Sequence, residues 1–181
     1  MGHTPRPNGM GSAHALGIFL SMYASVKGKG IDIAFPGNLM SWKAKRSDTS
    51  QDILANFHIF ATINVADEDF TTWEKLWPDV CASFSVKGVG PHAKEGKLNG
   101  VEWVMAQKDK WGTWVESNGL EKGFVENSSW DILGAVFAWM VFDKEYDLTA
   151  LREVGFMESA PTIEGYIMAF ERMEKAKSVP A

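Results

Sequence analysis

The amino-acid sequence predicts an α-rich α/β fold in which helices far outnumber strands. About seven segments show the apolar spacing of amphipathic or buried helices. Two short segments show the alternation of strands, and two isolated strands do not make a stable sheet. The chain is therefore either an α-rich domain or a segment whose sheet is completed by strands that it does not contain.

Composition and charge limit the class of protein. Hydrophobic residues make up 45% of the 181 residues and charged residues 23%, which is ordinary for a globular domain. The eight Trp and eleven Phe are many for this length and predict a large apolar core or a pocket wall. The net charge of −5 argues against nucleic acid as a partner, because phosphate binding needs clustered basic residues.

Cysteine usage and hydropathy bear on the compartment. The single cysteine, Cys81, excludes an internal disulfide and favours a reducing compartment, which we take as the cytoplasm. No run approaches the roughly 20 apolar residues of a membrane span, and no signal peptide pattern opens the chain. We therefore expect no membrane partner.

The first half of the chain predicts two helices and two strands. Residues 12–26 have the spacing of a helix with Leu16, Phe19, Leu20 and Tyr23 on one face. Residues 31–35 form a strand pattern before a Pro-Gly turn, and residues 64–66 are a second strand candidate. Thr49 is the expected N-cap of the helix between them. Its apolar face consists of Ile53, Leu54, Phe57, Phe60 and Ala61.

The clearest amphipathic helix follows a capping-box pattern at Thr71 and Glu74. Its apolar stripe consists of Trp73, Leu76, Trp77, Val80, Cys81 and Phe84. Pro78 is expected to kink or restart this helix. Residues 85–100 are interpreted as a loop, and residues 101–115 as a helix rich in tryptophan.

Three further helices are predicted towards the C-terminus. Residues 129–142 are apolar nearly all round, so this helix is expected to be buried. Asp147 is the expected cap of a short helix, and Gly155 is expected at the position after its C-terminus. Residues 162–177 form the last helix, with Ile163, Tyr166, Ile167, Phe170 and Met173 facing inwards.

Tyr23 and Lys27, in "YASVK", match the Tyr-x-x-x-Lys pair that moves a proton in short-chain dehydrogenases, and Ser12 lies near the position of their serine. The pattern fixes only two residues in five, and no Gly-x-Gly-x-x-Gly phosphate loop accompanies it. The structural interpretation, in which Tyr23 packs and Lys27 ends a helix, is therefore favoured.

The remaining reactive residue types form no recognisable site. His3, His14, His58 and His92 lie in separate elements, and none has a partner at metal-ligand spacing. Cys81 lies on an apolar face and is most simply a core residue. The aromatic stripes are interpreted first as core and second as a pocket wall.

Two long stretches resemble the C-terminal half of a known enzyme family. "FPGNLMSWKAKRSDTSQDILANFHIFATI" contains Phe-x-Gly, a Trp, Ser-Asp-x-Ser and Leu-Ala-x-x-His-Ile. "NVADEDFTTWEKLWPDV" follows with Asn-x-x-Asp and a Trp…Trp-Pro helix, and "FDKEYDLTALREVGF" with its Arg-x-x-Gly-Phe comes later. In this order the motifs resemble the progesterone 5β-reductase and iridoid synthase-like reductases, which are extended short-chain dehydrogenases.

The resemblance implies a single segment, residues 1–181, from the substrate side of a Rossmann-type short-chain dehydrogenase. The dinucleotide-binding domain and the catalytic Tyr and Lys of the family lie upstream of the matching region, so no catalytic residue is assigned in this chain. About ten residues of the family pattern also have no counterpart between Ile63 and Asn64. The resemblance places Met10, Phe137 and Met140 in an apolar substrate pocket, and Pro5 and Asn8 beside the cofactor.

The complete form of such a protein is expected to reduce or isomerise a small apolar metabolite of secondary metabolism with NADP(H). This chain alone is expected to bind no cofactor. Two other functions stay open. One is a non-redox protein that binds a small molecule and steers its cyclisation or isomerisation. The other is a degenerate fragment. A second copy or a complementing chain is a further expected partner.

Overall fold

The computed structural model describes residues 12–57, 66–67, 69–92 and 99–180. Within these ranges helices dominate, in agreement with the fold class that the sequence predicts. The helices are α1 (Ser12–Lys27), α2 (Leu39–Lys43), α3 (Gln51–Phe57), α4 (Trp73–Ala82), α5 (Gly100–Met105), α6 (Trp111–Ser117), α7 (Trp130–Ala138), α8 (Thr149–Glu153) and α9 (Thr162–Lys175). The strands are β1 (Asp32–Ala34) and β2 (Lys87–Val89).

The two described strands form a parallel pair. Asp32 is opposite Lys87, and the register continues to the end of both strands. The backbone N–H of Lys87 donates to the carbonyl of Ile31 at 2.9 Å, and that of Phe35 donates to Val89 at 2.9 Å. The loop that we predicted over residues 85–100 is therefore wrong at its start, because three of its residues complete this sheet.

Helix α1 lies at the centre of the core. Every residue from position 13 to position 23 is buried, so the single apolar face predicted from the spacing is too narrow. Helices α5, α7 and α9 pack around it. A Cβ at Gly17 would lie 2.8 Å from Met173 of α9, which shows how closely these two helices approach. At 16 residues α1 is the longest described helix, and none of the described helices has the length and apolarity to span a membrane.

Helix α4 confirms the predicted apolar stripe but corrects its start. Thr72, not Thr71, is the N-cap and accepts from the N–H of Lys75. The capping box with Glu74 is therefore wrong. The backbone of Thr71 pairs instead with Arg46 in both directions, at 2.8 and 3.1 Å. The helix continues through Pro78 without restarting.

The helix predicted over residues 101–115 is divided in the structure. Helix α5 ends at Met105, a 3₁₀ turn covers Lys108–Lys110, and α6 follows. The indole N–H of Trp111 donates to the carbonyl of Val104 at 3.1 Å, at the last turn of α5. The Val104 carbonyl also accepts from the N–H of Gln107 at 3.0 Å, so the turn after α5 and the Trp111 side chain meet at one acceptor.

Helix α7 is shorter and less buried than its sequence predicts. It ends at Ala138, and beyond that point Trp139 is 77% exposed and Phe142 is 62% exposed. In α9 the expected inward residue Ile167 is also exposed. Asp147 accepts from the N–H of Thr149 at 2.9 Å, but it lies one residue before the N-cap of α8, which is Leu148.

Helix α3 begins one residue later than the predicted cap implies. Ser50 precedes it, and the Ser50 hydroxyl accepts from the N–H of Ile53 at 3.3 Å. Thr49 is therefore not the N-cap. The strand candidate at residues 64–66 and the end of the predicted helix lie almost wholly outside the described residues. Ile53 packs in a second, smaller apolar cluster with Ala66, Leu148, Leu151 and Phe156.

Candidate functional site

The carboxyl ends of β1 and β2 lie at one edge of the sheet, because the strands are parallel. Ligands of open α/β sheets bind outside this edge. After β1 the chain turns at Gly37 and enters α2 through Asn38. The Asn38 side chain accepts from the N–H of Ser41 at 2.9 Å, and the Ser41 hydroxyl accepts from the N–H of Asn38 at 3.1 Å. This capping box fixes the direction in which the chain leaves the strand.

Gly37 lies where the end of α7 meets this turn. A Cβ at Gly37 would lie 2.4 Å from the ring of Phe35 and 2.5 Å from the carbonyl oxygen of Phe137. Neither neighbour can move far, since one is a buried ring and the other is backbone. The Phe-x-Gly motif therefore needs a glycine at this position, because any side chain would clash with these neighbours.

The substitution Gly37→Ala is expected to lower the free energy of unfolding by about 1–3 kcal/mol, because the methyl group overpacks this contact. Gly112→Ala is the matched control, since no atom lies within 4 Å of its Cβ position in α6. Alanine there is expected to stabilise the helix by up to about 1 kcal/mol. Urea denaturation of both variants measures the difference, and equal effects would contradict the contact.

An aromatic cluster lies beneath this edge. The ring of Phe35 is 5.0 Å from Trp42, 5.4 Å from Trp77 and 5.3 Å from Phe137, measured between ring centroids. Trp73 adds a fourth contact at 5.6 Å. The indole N–H of Trp77 donates to the carbonyl of Ile33 at 3.2 Å, which ties the cluster to β1. These rings form the rigid floor of the candidate site.

A buried ion pair stands beside the aromatic cluster. The guanidinium of Arg46 binds Asp48 through Nε at 2.9 Å and through Nη2 at 3.2 Å. The same guanidinium lies 4.1 Å above the ring of Trp73, a cation–π arrangement. The ammonium of Lys144, whose side chain is more exposed than that of Asp48, is 3.4 Å from the Asp48 carboxylate. The Asp48 carboxylate thus holds the cations of Arg46 and Lys144 together.

The electrostatics of this group follow from its burial and its partners. Burial acts to raise the pKa of Asp48, but the cations of Arg46 and Lys144 outweigh it and hold that pKa below its ordinary value. Burial also raises the pKa of Tyr166, whose hydroxyl hydrogen-bonds to Asp48. Asp48 is therefore an anion at neutral pH and Tyr166 a neutral donor to it.

Asp67, the acid of the Asn-x-x-Asp motif, joins neighbouring segments rather than facing the edge. Its Oδ1 accepts from the N–H of Ser50 at 2.7 Å, and its carbonyl accepts from Ala160 at 3.0 Å. Its own N–H donates to the carbonyl of Asp48 at 3.0 Å. Burial raises the pKa of this carboxyl. The motif therefore positions the segment that carries the ion pair.

A small cavity opens between the ion pair and the end of α7. Its walls include Arg46, Trp73, Met140, Phe142 and Lys144. The cavity volume of about 10 Å³ admits about one water molecule, so it does not enclose a metabolite. Exposed apolar side chains occur among its lining residues and in the chain segments beside them, at the start of α2 and after α7. The residues are Leu39, Met40, Trp139, Met140 and Phe142.

The residues that the sequence predicts for the site separate into three groups. Met140 lines the small cavity and is 37% exposed, whereas Phe137 is buried in the aromatic cluster beneath it. Met10, Pro5 and Asn8 lie outside the described residues. Sequence reasoning did not single out Arg46 or Lys144, although "KAKRSD" is a charged stretch between two apolar segments.

The structural interpretations of Tyr23 and Cys81 agree with their surroundings. Tyr23 packs 5.2 Å from Trp103, and its hydroxyl donates to the carbonyl of Asp32 at 3.4 Å. Lys27 is exposed at the end of α1. Cys81 is fully buried, and burial raises the pKa of its thiol. Among the described residues no group of acidic, His and Cys side chains forms a metal site.

The described residues do not fit a dinucleotide. A dinucleotide needs a glycine-rich turn that leads from a strand into a helix and cradles the pyrophosphate. β1 instead leads through Phe35, Pro36 and Gly37 into a helix of five residues, and β2 leads to Gly90 and Pro91. The described part of the chain therefore offers no phosphate cradle.

Comparison with known proteins identifies the class. The chain is 30% identical to the short chain dehydrogenase sirQ of Leptosphaeria maculans over 193 residues, with 99% of this chain and 48% of sirQ covered. It is 32% identical to sirS of the same fungus, covering 99% and 49%. The (S)-8-oxocitronellyl enol synthase ISY2 of Nepeta cataria is 29% identical over 60% of this chain and 30% of its own length. Two of these relatives are named as short-chain dehydrogenases, and the chain is similar to about half of each.

The family follows from a second comparison. The family model described as the PRISE-like Rossmann-fold domain matches residues 1–180, and the chain belongs to this family. The resemblance seen in the sequence motifs is thereby confirmed, as is a partial Rossmann fold with few strands. The chain spans about half the length of the fungal relatives. The alignment to sirS covers 203 residues, so sirS contains residues that have no counterpart in this chain.

Proposed function

We propose that this chain forms the substrate-side wall of an NADP(H)-dependent reductase or isomerase that acts on a small apolar metabolite in secondary metabolism. Membership of a short-chain dehydrogenase family supports the reaction class. A relative that is named for the synthesis of an enol supports a small oxygenated substrate. The single buried Cys81 is compatible with the reducing conditions of the cytoplasm.

The observation that carries the proposal is the apolar rim at the carboxyl edge of β1. Met40, Trp139 and Phe142 are more than half exposed there, although apolar side chains of this size are usually buried. Phe142 lines the small cavity together with Met140, while Met40 and Trp139 are the chain neighbours of its lining residues Ser41 and Met140. Covering such a surface with an apolar molecule lowers the free energy, because water is released from the side chains.

The polar group best placed at this wall is Lys144. Its ammonium is held by Asp48 at 3.4 Å, and its side chain is only partly exposed. An ammonium at the edge of an apolar surface is a suitable donor to the carbonyl oxygen of a bound metabolite. Residues outside the described ranges would have to hold NADP(H), since the described ones do not cradle its phosphates.

The proposal is tested by binding of trans-2-decenal, a small apolar enal, to the purified chain, followed by tryptophan fluorescence. The substitution Met140→Lys is expected to weaken binding by about tenfold, because it introduces a charge into the apolar wall. Met105→Lys is the matched control, since Met105 is 38% exposed in α5 and Met140 is 37% exposed at the site. Equal affinities of the two variants would contradict the proposed wall.

The same preparation tests the cofactor. We expect the chain alone to consume no NADPH with this enal. Steady NADPH oxidation would show that a cradle exists within this chain, contrary to the proposal. Enal binding that is sensitive to Met140 but unaffected by NADPH would leave the wall in place and favour a non-redox binding function.

A further inference from the structure

A second and larger cavity lies at the opposite end of the sheet. Its volume of about 160 Å³ is many times that of the cavity beside Met140. It is lined by the turn before β1, which includes Lys29, and by the turn before β2, which includes Ser83, Phe84 and Ser85. Because the strands are parallel, these two turns share the amino edge of the sheet. Helices α1 and α9 close its sides.

The serines of this cavity present oxygen atoms as acceptors. The hydroxyl of Ser25 donates to the carbonyl of Ser21 at 2.9 Å, and that of Ser83 donates to Asp79 at 3.3 Å. Each of these two hydroxyls therefore donates its proton to a backbone carbonyl four residues earlier. The lone pairs of its oxygen remain free to accept a hydrogen bond from a ligand. The cavity wall therefore accepts hydrogen bonds at several points.

One cation and one anion complete the polar lining. Lys29 and Glu174 both line the cavity, and neither forms an ion pair with any of the described residues. A ligand with a net charge would be attracted by one of them and repelled by the other. A neutral ligand that both donates and accepts hydrogen bonds satisfies the two together.

An aromatic ring forms the apolar side. Phe84 is buried, and its ring packs 4.8 Å from that of Phe170, so its position is fixed. Next to it Ser85 has a φ of +57°, a conformation that costs a non-glycine residue free energy. The carbonyl of Ser85 accepts from the N–H of Gly30 at 2.7 Å, which joins the two turns. The turn at Ser85 thus places Ser83, Ser85 and the ring of Phe84 in the wall of the same cavity.

We propose that this cavity binds a small neutral polyol, of the size of a single sugar ring, at a site separate from the metabolite wall. The hydroxyls of the polyol donate to Glu174 and to the serine oxygens, and they accept from the ammonium of Lys29. Its C–H face lies against Phe84. The site is at the amino edge of the sheet, so its occupancy does not depend on the proposed reductase function.

The test is a titration of the ¹⁵N-labelled full chain with glucose. We expect saturable shifts of the amide signals of Lys29 and of residues 83–85 in the millimolar range, with Met140 and Lys144 unaffected. Ser83→Phe fills the space and is expected to weaken binding by at least about tenfold. Ser117→Phe is the control, because Ser117 also donates to a carbonyl of its own helix but lies outside the cavity.

Glu174→Gln provides a second variant at an exposed position and removes only the charge. We expect it to weaken glucose binding by about threefold while the spectrum stays that of the folded chain. The proposal is overturned if no saturable shift occurs, or if the shifts centre on Met140. It is also overturned if glycine, a zwitterion, binds more tightly than glucose.

Discussion

Replacing Arg46 with methionine is expected to lower the free energy of unfolding by about 3–5 kcal/mol, the largest effect that the structure predicts for one charge. The substitution keeps a long apolar side chain over Trp73 but removes both hydrogen bonds to Asp48. The carboxylate then stays buried with only Lys144 at 3.4 Å as a cation. A buried charge that has lost its closest partner costs more than the intact pair gains, so the loss comes mainly from Asp48.

Lys45→Met is the control for the Arg46 variant. Lys45 is the neighbouring residue, and it forms an ion pair with Glu145 at 2.8 Å in which both side chains are about half exposed. Solvent screens that pair, so its loss is expected to change the unfolding midpoint little. Chemical denaturation of the two variants at neutral pH gives the comparison. Similar losses in both would show that the burial of Arg46 does not set the cost.

The pH dependence of the Arg46 effect has a defined sign. In the native chain the pKa of Asp48 is lowered, so its stabilising contribution is present above the unfolded pKa of about 4 and is lost as the pH falls through the folded value. In the variant the Asp48 carboxyl takes up a proton more readily. As the pH falls, protonation removes the buried charge and with it the destabilisation that this charge causes. The difference between native chain and variant should therefore be largest near neutral pH and shrink as the pH falls through the folded pKa of Asp48 in the variant and then in the native chain. A difference that grows towards acid would contradict this assignment.

The sequence predicted helices with strong apolar periodicity and missed the short strand β2. Its three residues, Lys87 to Val89, have neither alternation nor β-branched enrichment, and Gly88 is atypical of a strand. Gly88 is there because a Cβ would lie 2.7 Å from the carbonyl oxygen of Trp77 in α4. The strand is thus defined by a tertiary contact and by pairing with β1, which no local pattern contains.

The candidate site shows the same limit. The resemblance pointed to Phe137 and Met140, but it did not tell the buried ring from the exposed thioether, because α7 ends at Ala138. The grouping of Arg46, Asp48 and Lys144 brings together Asp48 and Lys144, which are 96 positions apart in the chain. Only the folded chain brings them to one place, and the sequence signal was limited to a charged stretch and the Ser-Asp motif.

The substitution Phe35→Ala is expected to destabilise the chain by about 3–5 kcal/mol, since it leaves a cavity where a buried ring stood. Phe35 is 1% exposed, and its ring contacts Trp42, Trp73, Trp77 and Phe137. Its backbone N–H bond to Val89 does not depend on the side chain and should persist. With a typical domain stability of roughly 5–15 kcal/mol, such a loss would consume much of the total.

The reason to measure Phe35→Ala is that its ring joins the core to the proposed wall. Phe70→Ala is the control, because Phe70 is 47% exposed and its removal is expected to cost less than about 1 kcal/mol. Urea denaturation gives the two free energies, and near-UV circular dichroism reports the order of the tryptophans. If Phe35→Ala unfolds no more readily than the control, the aromatic cluster is not the floor of the site. If it is destabilised and also loses decenal binding while still folded, the packing beneath Met140 holds the wall in place.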